Sequence, residues 1–167
     1  MENNNKLIFI VDDDQIYSSL AANRLSKLEN TRTEIFNTGE SMLEQVSLNP
    51  ELIVLDYNLN SAKVDAMDGK SVMKTLIDQE KKIPIILLSG QKDIETAIEL
   101  LKFNASDYIS KGDQDLDKLE ESVKKVLKMK EIQKEIHVNK NENSKLKKRM
   151  ALSCSIFLLV ILTIYFF

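Results

Sequence analysis

Three aspartates, Asp12, Asp13 and Asp14, follow directly on the apolar run LIFIV, and a fourth, Asp56, closes the run LIVLD. Ser89 and Gly90 end IILLSG, and Lys111 ends DYISK. Carboxylates set side by side raise one another's pKa unless a cation sits among them. Mg²⁺ suits such a set, because it takes oxygen ligands, needs only a few carboxylates and leaves room for water and a phosphoryl oxygen. A carboxylate can also act as a nucleophile toward phosphorus and form an aspartyl phosphate. A cation and the Lys111 ammonium would then neutralise charge developing on the transferred group. The Ser89 hydroxyl could donate to a phosphoryl oxygen, and Gly90 leaves space for that group. These residue types point to phosphoryl chemistry on one carboxylate of the set, beside a bound cation.

That chemistry requires distant parts of the chain to meet at one edge. Short apolar runs at residues 6–11, 33–36, 52–55, 83–88 and 106–110 read as strands. The first, third and fourth are continuous, as expected for central parallel strands buried on both faces. Pro84 is tolerated near a strand start. Amphipathic stretches follow them: Tyr17, Leu20, Ala21, Leu25 and Leu28; Met42, Leu43 and Val46; Val72, Met73, Leu76 and Ile77; Ile94, Ala97, Ile98 and Leu101; Leu116, Leu119, Val123, Val126 and Leu127. Five strand–helix pairs predict an open α/β sheet with right-handed crossovers. In such a sheet ligands bind beyond the carboxyl ends of the strands, where the aspartates, Ser89 and Lys111 all fall.

Charge divides the chain. Residues 1–112 hold 12 Lys/Arg against 18 Asp/Glu, a net of −6, whereas residues 113–149 hold 11 against 8, a net of +3. An acidic front gives nucleic-acid binding no electrostatic support. The single cysteine, Cys154, excludes an internal disulfide and suits a reducing compartment. The opening MENNNK lacks the basic-then-apolar pattern of a secretory leader.

From Met129 the apolar positions fall into a heptad: Met129, Ile132, Ile136, Asn139, Asn143, Leu146 and Met150. Asparagines at two seam positions are a device that sets register and oligomer state, so residues 128–149 read as a helical linker that pairs two copies through residues 129–150 as a weak, membrane-assisted parallel coiled coil, the alternative being a solvated charged helix. Residues 150–167, MALSCSIFLLVILTIYFF, contain no charged side chain. As a helix they would reach roughly 27 Å, close to the hydrocarbon thickness of a bilayer. The basic KLKKR just before them would stay on the cytoplasmic side. A single-pass C-terminal anchor on the cytoplasmic face of the cell membrane is expected, with residues 1–127 as the chemical domain.

The segments IVDDD, LIVLDYNL, ILLSG and ASDYISK, in this order, resemble the receiver domains of two-component response regulators. The resemblance covers about residues 4–127. It implies a flavodoxin-like, doubly wound five-stranded parallel sheet of order 2-1-3-4-5, with helices on both faces. By position it makes Asp12 and Asp13 the metal-binding pair and Asp56 the phosphoacceptor, with the Asn58 carbonyl a further Mg²⁺ ligand. It likewise makes Ser89 the switch hydroxyl, Tyr108 the switch aromatic and Lys111 the site lysine. The implied partner is a histidine kinase or histidine phosphotransfer protein. The implied catalysis is limited to the domain's own phosphorylation and autodephosphorylation, with signalling through protein contacts or by draining phosphate from a kinase. No stretch of the sequence reads as a DNA-binding output. Two departures stand out. The loop after the phosphoacceptor, residues 60–69, is long and lacks the family's proline, and Gly112 stands where the family commonly has proline after the lysine.

Two rival readings use the same residues. DDDQI and GDQDLD, residues 112–117, resemble motifs of haloacid-dehalogenase-type phosphatases, with Asp12 as nucleophile, but that reading leaves Asp56 unexplained. A receiver-like module that never accepts phosphate and serves only for interaction is the other.

Overall fold

The computed structural model describes residues 5–59, 67–90, 105–112 and 114–166, the side chains of 151 and 153–166 excepted. Five parallel strands form one sheet: β1 (Lys6–Val11), β2 (Thr31–Phe36), β3 (Leu52–Asp56), β4 (Ile85–Ser89) and β5 (Asp107–Ser110). Their order is β2-β1-β3-β4-β5, as the family resemblance implied. β3 and β4 are buried at every position, and β1 at all but its first. The flanking strands β2 and β5 are only partly buried. Continuous apolar runs in the sequence therefore marked the centre of the sheet, and the mixed runs marked its edges.

Four helices are described: α1 (Gln15–Leu25), α2 (Gly39–Gln45), α3 (Gly69–Asp78) and α4 (Asp115–Phe166). A 3-10 turn, Val46–Leu48, follows α2. Alternation along the strands splits the core in two. Leu7, Phe9 and Val11 of β1 face Met42 of α2 and Val72, Met73 and Leu76 of α3. Ile8 and Ile10 face Ala21 and Leu25 of α1 and Leu119, Val123 and Leu127 of α4. Each fully buried aliphatic side chain contributes about 1.5–3 kcal/mol.

Local signals fix where elements begin. Asp14 caps α1, accepting hydrogen bonds from the Ile16 and Tyr17 amides. Thr38 caps α2 and Asp68 caps α3, each by accepting from a Ser amide three residues on. β4 starts at Ile85 rather than at Ile83, because Pro84 has no N–H to give to a ladder. Its carbonyl still accepts from the Ile53 amide at 3.0 Å. α1 and α4 are joined by Arg24, which pairs with Asp117 and Glu120. Ser122 on α4 donates to Asp107 of β5 at 2.5 Å.

The chain divides into two units, Met1–Leu127 and Lys128–Phe167. In the second, the backbone is helical through Phe166 and the side chains from Ile132 to Met150 are exposed. Among the described residues no helix is long and apolar enough to cross a membrane. The expected span, residues 150–167, lies outside the described residues in every side chain except those of Met150 and Leu152. The fourth amphipathic pattern, with Ile94 and Leu101, and most of the long loop, residues 60–66, also lie outside them.

Candidate phosphoacceptor site

Parallel pairing sets the ends of β1, β3, β4 and β5 beside one another, and the chemistry-bearing residues follow those ends. Asp12 comes directly after β1, tied in place by its own amide donating to the Phe36 carbonyl at 3.0 Å. Asp56 is the last residue of β3, and Ser89 the last of β4. Lys111 follows β5, its amide donating to the Ser89 carbonyl at 2.8 Å. Asp12, Asp56 and Ser89 are all buried, and the Lys111 side chain is 20% exposed.

One cation from the protein joins this group. Lys111 Nζ lies 2.8 Å from Asp56 Oδ2, to which it donates, and 2.8 Å from Asp12 Oδ2. The Asp12 contact is an ion pair without hydrogen-bond alignment, so among the described residues that buried oxygen has no hydrogen-bond donor. Burial pushes the Asp12 carboxyl above the ordinary carboxylate range, against the opposing pull of Lys111. Burial also works against the Lys111 ammonium. Its close contacts with the Asp12 and Asp56 carboxylates, and their charges, outweigh that and hold its pKa above the usual value. Asp14 goes the other way: amides at the start of α1, that of Tyr17 foremost, hold its carboxyl low. Asp14 is thus occupied as a cap.

Ligand oxygens of Asp12, Asp13 and Asp56 lie within 4.8 Å of one another. Together with the undonated Asp12 oxygen, this donor set fits a hard divalent cation such as Mg²⁺. Asn58 is exposed just beyond β3, and its amide donates to Asp56 Oδ1 at 3.2 Å. Two glycines stand beside the site. A side chain on Gly69 would come within 2.7 Å of the backbone of Asp56 and Tyr57, so the start of α3 can close on the end of β3 only with glycine there. Among the described residues, a side chain on Gly90 would meet nothing within 4 Å.

Tyr108, one residue into β5, is half-buried and packs against the α2–α3 side of the core, opposite Leu87 of β4. Gly112 has φ 155°, a backbone conformation that proline, fixed near −65°, could not adopt. The lysine is held instead by its neighbours: the Ser89 carbonyl at its backbone, two carboxylates at its head, and the ring of Tyr17, whose centre lies 4.7 Å from Nζ. Sequence reasoning gave Tyr17 only a place in a helical apolar stripe. The one available signal was its position five residues after Asp12, in the first turn of the helix that the aspartates open.

A family model described as the response regulator receiver domain matches residues 8–124. The chain belongs to the response regulator receiver family. The phosphatase-like reading of Asp12 loses its ground with that assignment. The regulatory protein AtoC of Escherichia coli is 28% identical to this receiver over 133 residues, 79% of this chain and 27% of that protein. The transcriptional regulatory protein ZraR of the same organism is 30% identical over 127 residues, 76% of this chain and 27% of that protein. The receiver thus spans about a quarter of the length of these relatives. Among solved structures, the receiver domain of the Francisella response regulator 1452 is similar with a TM-score of 0.65 and 26% identity, over 75% of this chain and 99% of that one. The receiver domain of NtrX from Brucella abortus gives a TM-score of 0.63 and 28% identity, over 72% and 98%.

Proposed function

We propose that this receiver accepts a phosphoryl group on Asp56 from a phosphohistidine of a histidine kinase or a histidine phosphotransfer protein. The observation that carries the reading is the shared contact of Lys111 Nζ with Asp56 and Asp12, 2.8 Å from each, inside a cluster of three carboxylates. An oxygen of Asp56 attacks phosphorus, the P–N bond to the imidazole breaks, and the imidazole leaves as the neutral ring after taking up a proton. Lys111 then exchanges its contact with the Asp56 carboxylate for one with the phosphoryl oxygens. Mg²⁺, held by Asp12, Asp13, Asp56 and the Asn58 carbonyl, would supply the charge neutralisation that such transfer requires. Ser89, at the end of the neighbouring strand, turns its hydroxyl to the new phosphoryl group, and Tyr108 follows inward. The catalysis is confined to the receiver's own phosphorylation and dephosphorylation.

Residues 150–167 anchor the receiver to the cytoplasmic face of a membrane, a reading supported by 18 consecutive uncharged positions after the basic KLKKR. Residues 129–150 pair it with a second copy. Output then passes through protein contacts of the receiver or by withdrawal of phosphate from the kinase.

The test uses the full-length chain in detergent, with Mg²⁺ and either a small phosphodonor or a phosphohistidine donor, read by intact mass. A Mg²⁺-dependent gain of one phosphoryl group, absent in Asp56→Asn, supports the reading. No adduct from either donor overturns it in favour of an interaction module. Donor turnover that persists in Asp56→Asn and stops in Asp12→Asn overturns it in favour of hydrolysis.

A further inference from the structure

Met129, Ile132, Ile136, Leu146 and Met150 are each between 44% and 61% exposed, although their spacing puts them on one face of α4. Asn139 and Asn143 continue that face. The flanks of the seam differ in charge: Glu135 and Glu142 stand on one side, with Lys128 and Arg149 at its ends, and Lys140 and Lys147 on the other, all exposed. We infer that two copies of this chain pair along this seam as a parallel, in-register coiled coil, oriented by those flanking charges. The inference rests on the reading above only in taking a second copy as the partner.

The seam by itself does not choose an orientation. In a parallel pair every seam residue faces its own counterpart. An antiparallel pair sets Ile132 against Met150, Ile136 against Leu146 and Asn139 against Asn143, so apolar again meets apolar and amide meets amide. The flanks break this tie. Parallel helices bring each Glu135 to Lys140 of the second copy and each Glu142 to Lys147, so that every such contact is attractive. Antiparallel helices set Glu142 against Glu142 and Lys140 against Lys140, and only Glu135 against Arg149 attracts. Like charges placed opposite one another suppress that alternative. A parallel pair also brings both uncharged tails to the same end, as two anchors in one membrane require.

Disulfide trapping in the full-length chain, in detergent and in a Cys154→Ser background, tests this. A parallel pair puts the two side chains of Ile132→Cys in contact, whereas the antiparallel pair holds them roughly 27 Å apart. Mild oxidation is expected to link Ile132→Cys and Leu146→Cys into dimers and to leave Val138→Cys, on the outer face, monomeric. Adding Lys140→Glu with Lys147→Glu lowers the yield several-fold. Reversing Glu135 and Glu142 to Lys in the same chain restores it. Failure of Ile132→Cys to link, with cross-linking between Ile136→Cys and Leu146→Cys chains in a mixture, overturns the orientation while leaving the dimer. Links that ignore every charge reversal overturn the seam in favour of pairing by the tails. No link at any position overturns the dimer itself, and none of these results bears on phosphorylation of Asp56.

Discussion

The Lys111 ammonium rests 4.7 Å from the centre of the Tyr17 ring while also contacting Asp12 and Asp56. An aromatic face attracts a cation through its quadrupole, so the ring resists withdrawal of the lysine when its carboxylate partner becomes phosphorylated. Cation–π contacts of this kind are worth about 0.5–2 kcal/mol. If the contact is kept in the transition state, Tyr17→Ala should slow phosphoryl uptake by roughly two- to thirtyfold, at about 1.36 kcal/mol per tenfold in rate. Uptake followed by intact mass, with circular dichroism to show that folding persists, checks this. An unchanged rate with intact folding would remove Tyr17 from the site.

The hydroxyl of the same residue has a separate consequence. Tyr17 Oη is buried without a hydrogen-bond partner among the described residues, and burial together with the nearby Asp115 carboxylate pushes its pKa upward. An unsatisfied buried polar group costs about 1–3 kcal/mol. Tyr17→Phe keeps the ring over Lys111 and is expected to raise the urea midpoint without slowing phosphoryl uptake. A lowered midpoint would mean that the hydroxyl has a partner.

Ser122→Ala should destabilise the receiver. Ser122 is buried on α4 and donates to Asp107 Oδ2 at 2.5 Å, while the other Asp107 oxygen accepts from the Tyr108 amide at 2.8 Å. Losing the hydroxyl strips a half-buried carboxylate of one donor next to the proposed switch residue. A loss of about 1–3 kcal/mol is expected from denaturant unfolding.

Acid stability should depend on Glu120. Lys124 and Arg24 hold its carboxyl down to about 2, from an ordinary 4.5. A group whose folded pKa is depressed contributes stability that is complete above its unfolded pKa and is lost as pH falls through its folded pKa. The stabilisation is therefore present above about pH 4.5 and disappears by about pH 2. Unfolding of wild type and Glu120→Gln across that window should show a gap that narrows steadily as the pH falls. A gap independent of pH would contradict the pairing.

Much of this architecture was legible in the sequence, for identifiable reasons. β1, β3 and β4 announced themselves because burial on both faces demands unbroken apolar runs, and the residues just past them inherited their convergence from parallel pairing. β2 begins at Thr31, two residues before its apolar signal, because an edge strand pairs through its backbone whatever its side chains. Leu20 fits the helical stripe of α1, yet it is 53% exposed, while Ser18 is buried. Periodicity marks a face only to within one neighbouring position. Nothing local marks Tyr17 as a site residue, because its contact with the site depends on where a lysine 94 positions later brings its head. In the sequence Gly69 marks only the end of a long loop. Its need to be glycine comes from the backbone following Asp56, a contact that no local pattern encodes.

Asp56 itself is the proposed carrier of the phosphoryl group. The most direct measurement is borohydride reduction of the full-length chain after incubation with Mg²⁺ and a small phosphodonor, followed by peptide mapping. Reduction converts an aspartyl phosphate to homoserine, and conversion is predicted at Asp56, only when both Mg²⁺ and donor were present. Conversion at Asp12 or Asp13, or phosphoryl uptake with Asp56 left unconverted, would contradict it.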